Sequence, residues 1–65
     1  MSIVAQNVRR ILTEKGFKQC AIAEKSGIPP RSLSDMLNER RVIRAETIPL
    51  LAKALEVEPN ELFRQ

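Results

Sequence analysis

Apolar residues recur along most of this chain at intervals of three and four, the spacing of one helical face. Val4, Val8, Ile11 and Leu12 form such a stripe over about residues 2–15, and Gly16 behind it suits a left-handed cap. Phe17 follows and is expected to plug the corner. Ile22 and Ala23 turn inward from a short second helix over about 18–25, with Ser26 near its end. The stretch "SGI" then breaks the pattern, and Ile28 points back toward the core. Leu33, Met36 and Leu37 predict a third helix over about 30–38. Ile48, Leu51, Ala52 and Leu55 predict a fourth over about 48–56, with Thr47 as its cap and Pro49 tolerable in the first turn. A short last helix over about 59–63 carries Leu62 and Phe63, with Val57 apolar ahead of it. No stretch alternates long enough to make a strand.

Five short helices with brief connections make an all-α protein, a compact five-helix bundle. Its expected core is Val8, Ile11, Leu12, Phe17, Ile22, Ala23, Ile28, Leu33, Met36, Leu37, Ile48, Leu51, Ala52, Leu55 and Leu62. The third helix has an unusual entry, Pro29–Pro30. Pro30 fits the first helical position, where a missing N–H costs nothing and the fixed φ is already helical. Pro29 forces Ile28 out of the α region and sharpens the turn.

At 65 residues the chain is one domain, residues 1–65. A single cysteine forms no internal disulfide, and without histidine there is no plausible metal-ligand cluster. No cofactor is implied. Tight helix packing, helped by dimerisation, is the remaining support for so small a core. No apolar run approaches the roughly 18 residues that span a bilayer, and the N-terminus lacks the order of a signal peptide. The cysteine count and these absences lead to the expectation of a cytoplasmic protein without a membrane partner. No nucleophile stands beside a base and no glycine-rich phosphate loop occurs, so no enzyme is expected.

The net charge of +3 is uneven: residues 1–44 carry nine Lys/Arg against four acids, whereas residues 45–65 carry two against four. A basic end of +5 facing an acidic end of −2 suits a polyanion; a solvated surface with clustered charge is the plainer reading.

Helices two and three are separated by three or four residues with a glycine in the turn, the helix-turn-helix arrangement, over about 18–38. Ala23 leaves room for the crossing helix, Gly27 supplies a left-handed turn, and Ile28 and Leu33 pin one helix on the other. "QCAIAEKSGIPPRSLSDML" resembles the helix-turn-helix of the lambda-repressor/Cro type, the XRE family, through Gln19, Ile22, Ala23, Gly27, Ile28, Leu33 and Met36. "VRRILTEKGFKQ" looks like that family's first helix, and "IPLLAKALEVEPNELF" like its fourth and fifth.

The resemblance implies a lambda-repressor-like domain that lays its third helix in the major groove of double-stranded DNA and reads two half-sites as a homodimer. Residue by residue, it implies base reading by Pro30, Arg31, Ser34, Asp35 and Asn38. Gln19, at the start of helix two, matches a phosphate-contacting glutamine; Lys18, Ser32, Arg40, Arg41 and Arg44 are the further backbone candidates. The side-chain chemistry agrees. Arg31 can pair bidentately with guanine, worth about 1–3 kcal/mol of discrimination. Asp35 can accept from cytosine N4 or hold Arg31 at i, i+4. Equally, Ser32, Ser34 and Asp35 can form a solvated face, and Arg31–Asp35 a surface pair worth under about 1 kcal/mol.

Three departures from the family stand out. Leu12 and Leu37 occupy positions where the family often pairs arginine with glutamate, so the two leucines are expected to pack together instead. Proline replaces the usual serine or threonine cap of helix three, which removes a hydrogen bond at that end. Glu39 stands where glycine is frequent. The expected function is a sequence-specific transcriptional regulator, a bacterial or phage repressor binding a near-palindromic operator as a dimer, with Leu62 and Phe63 offered for the interface. The rival is the same fold used as a protein-interaction module, an antitoxin or anti-repressor. It would need an apolar patch where the arginines stand.

Overall fold

A computed structural model describes residues 2–65. The elements in order are α1 (Ile3–Lys15), α2 (Gln19–Ser26), α3 (Pro30–Leu37), α4 (Thr47–Leu55) and a closing 3₁₀ helix, η1 (Pro59–Phe63). The all-α architecture is as expected, but the fifth element is a 3₁₀ turn. Five residues opened by a proline give α-type ladders little to build on, and Glu61 N–H bonds the carbonyl of Glu58 at 3.0 Å. α1 packs on η1, α3 and α4; α2 packs on α3 and α4; α4 also holds η1.

The inward faces meet in one apolar cluster that contains the expected core residues except Phe17, with Val4 and Ala54 added. Val8, Ile22, Leu33, Leu51, Leu55 and Leu62 are fully buried. Leu12 and Leu37 both sit in this cluster, on the packed helices α1 and α3. Phe17 is half-buried at its edge, where the ammonium groups of Lys15 and Lys25 stand 5.9 and 5.4 Å from its ring centre. Leu62 is fully buried within its own chain, so it is unavailable to a partner; the exposed apolar side chain of η1 is Phe63.

Every α-helix ends in the same device. A left-handed residue follows the helix, directly after α1, α2 and α4 and one residue later, past Asn38, after α3. The N–H after it reaches back five residues: Phe17 to Leu12 (3.0 Å), Ile28 to Ala23 (3.1 Å), Arg40 to Asp35 (2.8 Å) and Val57 to Ala52 (3.0 Å). Gly16 and Gly27 take the left-handed φ at 71° and 75°, as expected, while Glu39 and Glu56 take it at 60° and 61°. Glu56 therefore caps α4 rather than extending it. Thr47 is likewise inside α4 and not its cap. Glu46 precedes it in αR geometry, because turns from Arg44 and Ala45 already feed the first helical N–H groups.

Long polar side chains tie the elements. Ser2 caps α1 by accepting from Ala5 N–H at 3.1 Å. Buried Asn7 donates to the carbonyls of Leu62 (2.9 Å) and Arg64 (2.8 Å), which sews the C-terminal segment onto α1. Lys15 donates to the carbonyls of Leu55 and Glu56 at the end of α4. Among the described residues no buried side-chain N or O lacks a partner.

A left-handed non-glycine residue costs about 1–2 kcal/mol. Glu56→Gly is expected to stabilise the fold by about 1 kcal/mol, a rise of roughly 4–8 °C in Tm for a domain of this size. Glu39→Gly should gain less, because the Glu39 carboxylate accepts the Ser2 N–H at 2.6 Å. Thermal denaturation of the two variants beside wild type checks both the gain and its order.

Candidate nucleic-acid interface

The turn between α2 and α3 fixes how the third helix is presented. Gly27 reverses the chain at φ 75°, and a Cβ there would meet nothing within 4 Å, so the glycine is required by backbone conformation rather than space. Ile28 drops into the core, and Pro29, extended at ψ 138°, delivers Pro30 as the first residue of α3. The first ladder bond runs from Leu33 N–H to the carbonyl of Pro29 at 3.0 Å. No side chain caps this end, as two prolines dictate.

Leu33, Met36 and Leu37 hold the back of α3 in the core. Its front carries Pro30, Arg31 and Asn38 exposed, with Ser32, Ser34 and Asp35 half-buried. Arg31 and Asp35 do not form an ion pair with each other; the ion pairs between described residues are Arg10–Glu14 and Arg64–Glu61. The option that Asp35 holds Arg31 in place is thereby set aside, and Arg31 stays unrestrained.

The loop after α3 folds back toward the start of that helix. Arg41 Nη1 donates to Ser32 Oγ at 3.0 Å, nine residues upstream. Arg41 and Arg44 line one groove with Met36, Val42 and Thr47, and Arg40 and Arg41 line another with Ser2 and Glu39. The structure thus brings Arg41 beside the first turn of α3, where Arg31 also stands. Lys18 and Gln19 lie exposed at the start of α2, which has no side-chain cap. The exposed large apolar residues among those described are Ile3, Val42, Leu50 and Phe63; Val42 alone of these belongs to the loop beside α3.

Two contributors were missed from sequence. Arg9, on α1, donates from Nε to the carbonyl of Leu37 (3.0 Å) and from Nη2 to Asn38 Oδ1 (2.7 Å). Asn38 in turn donates to Ser34 Oγ at 3.4 Å. The legible signal was a gap: α1, α2 and α4 each carry a lysine in the last turn, whereas α3 carries no basic residue there. Val42 is the other, 81% exposed among arginines. Among the described residues there is no cluster of metal-ligating side chains, and no helix is long and apolar enough to cross a membrane.

Comparison with known proteins gives two positive findings. The family model described as "Helix-turn-helix" matches residues 8–62. The crystal structure of the restriction-modification controller protein C.AhdI from Aeromonas hydrophila is similar at 33% identity and a TM-score of 0.87, covering 94% of this chain and 92% of that one. No curated protein matches significantly.

Removing the Arg41 side chain should free Ser32 without unfolding the domain, since both groups are exposed or half-buried. Arg41→Ala is expected to shift stability by no more than about 0.5 kcal/mol. Chemical denaturation checks this, and makes that variant a clean probe of binding.

Proposed function

The chain belongs to the helix-turn-helix family of lambda-repressor/Cro type and is a DNA-binding regulator of transcription; on that premise we propose that it is a repressor that reads a near-palindromic operator as a homodimer. The observation that carries this reading is the convergence of Arg41 on the first turn of α3, which sets loop arginines beside the exposed front of the helix. Base edges are read by Pro30, Arg31, Ser34, Asp35 and Asn38. Among the described residues Arg31 has no ion-pair partner, and it is long enough to reach guanine O6 and N7. The ring of Pro30 suits a thymine methyl, and Asp35 can accept from cytosine N4.

Phosphates are met by Lys18, Gln19, Ser32, Arg40, Arg41 and Arg44. The uncapped start of α2 adds free backbone N–H groups whose dipole favours an anion. These contacts supply affinity without sequence information. Similarity to a protein titled a controller supports a regulatory role over a catalytic one. The antitoxin or anti-repressor reading finds less support, because among the described residues Val42 is the large apolar residue exposed near α3, and arginines flank it in sequence.

The dimer is assigned to Phe63, 53% exposed at the C-terminal end. Phe63→Glu is expected to leave the fold intact and to convert a dimer to a monomer in sedimentation equilibrium. A wild-type chain that sediments as a monomer at high micromolar concentration would remove the dimer from this reading.

In vitro site selection tests DNA reading directly. Arg31→Ala should relax preference at one base position, at a cost of about 1–3 kcal/mol on the selected site. Arg41→Ala should weaken binding evenly across sequences and flatten the dependence of log K on log salt by about one unit. No bound DNA for wild type at low salt would overturn the proposal.

A further inference from the structure

We infer that Arg9, on the first helix, is a positioning residue for base reading: it fixes the C-terminal end of α3 and orients Asn38 as a hydrogen-bond donor. The inference rests on the DNA-binding reading above. α3 is the one α-helix without a basic side chain in its own last turn. Its final carbonyls carry the negative end of the dipole, and a cation there is stabilising. Arg9 supplies that cation from another element, through Nε on the Leu37 carbonyl at 3.0 Å. The same planar fork places Nη2 on Asn38 Oδ1 at 2.7 Å. Asn38 then passes one amide hydrogen to Ser34 Oγ at 3.4 Å.

The consequence is chemical. Asparagine brings one acceptor and two donors to a groove, and its usual partner is adenine, which it meets with both. Here the oxygen is engaged by a charged donor and one N–H faces Ser34. The oxygen keeps one lone pair but is drawn toward the guanidinium of Arg9, and one N–H is left unshared for DNA. That selects a base edge presenting an acceptor, guanine N7 or O6 or thymine O4, over bidentate adenine. Arg9 itself points at the protein and not at a phosphate.

The experiment is site selection and salt-dependent binding for wild type, Arg9→Met, Arg9→Lys, Asn38→Ala and the Arg9→Met/Asn38→Ala double variant, with a thermal melt of each. Arg9→Met is expected to lower affinity for the selected site by roughly 3- to 30-fold. It should relax preference at the same base position as Asn38→Ala, and the double variant should lose no more than about twofold beyond Asn38→Ala alone. The salt slope should stay within about half a unit of wild type, since no phosphate contact is lost. Arg9→Lys keeps the charge but not the fork, so it should show the same relaxed position even where Arg9→Met is too unstable to titrate. A salt slope lowered by about one unit with base preference intact would make Arg9 a phosphate contact and overturn the inference. So would additive losses in the double variant, or a lowered Tm with base preference unchanged. A wild-type chain that selects no site removes the DNA reading and this inference together.

Discussion

The left-handed residue after each helix is the constraint on which the rest of this structure depends. Four helices of 8 to 13 residues fit in 65 only if the chain reverses without long loops. A residue near φ +60° to +75° does this in one step and satisfies the orphan carbonyls behind it. The next residue then points inward: Phe17, Ile28 and Val57 all join the core or its edge. α3 is the exception, because Arg40 occupies that place and is exposed. The chain therefore leaves α3 along the surface, and this is what makes its loop an arginine-bearing surface element rather than a core return.

Glu39 and Glu56 show two ways of living with a strained backbone. Glu56 makes no side-chain hydrogen bond or ion pair with the described residues, and its strain is offset by the capping hydrogen bonds and by Lys15 on its carbonyl. Glu39 uses its carboxylate: it accepts the N–H of Ser2 at the start of α1, where the helix dipole favours a negative charge. A glycine would relax the φ but lose that bond. The residue that departs from the family's frequent glycine is thus the one that fastens the exit of α3 to the entry of α1.

The helices, their order and the core were legible from spacing because apolar periodicity is a local record of burial. Gly16 and Gly27 were legible as caps for the same reason: the conformational demand and the residue that meets it coincide. Glu56 was not, since nothing in "LEVEP" marks a left-handed residue; the reversal there is imposed by Val57 packing on the core. Thr47 misled because a hydroxyl resembles a cap, while the true entry runs through the turn of residues 44–47. The polar ties were hidden for a different reason. Asn7, Arg9 and Lys15 all act on carbonyls 28 to 57 positions away, so no local window contains both partners. Leu62 was assigned to the core correctly but offered to the dimer as well, and full burial leaves it only the first role.

Those ties matter more here than in a larger domain. The accessible surface is 4479 Å², against roughly 10,700 Å² for an unfolded chain of this mass, so folding removes only about 60%. A margin that small leaves an eight-residue helix prone to fray at both ends. α3 is held at each end by means other than its own ladder. At the start, Pro29 and Pro30 restrict the backbone before any contact is made, which lowers the entropy of the unfolded chain as well. At the finish, Arg9 holds the last carbonyl and the following side chain. A helix fixed in this way gives up little freedom on meeting a partner, so more of each contact's free energy survives as affinity. The absence of a capping serine is then no loss of order. It exchanges one hydrogen bond for rigidity, and moves recognition from the cap to the side chains along the front of the helix.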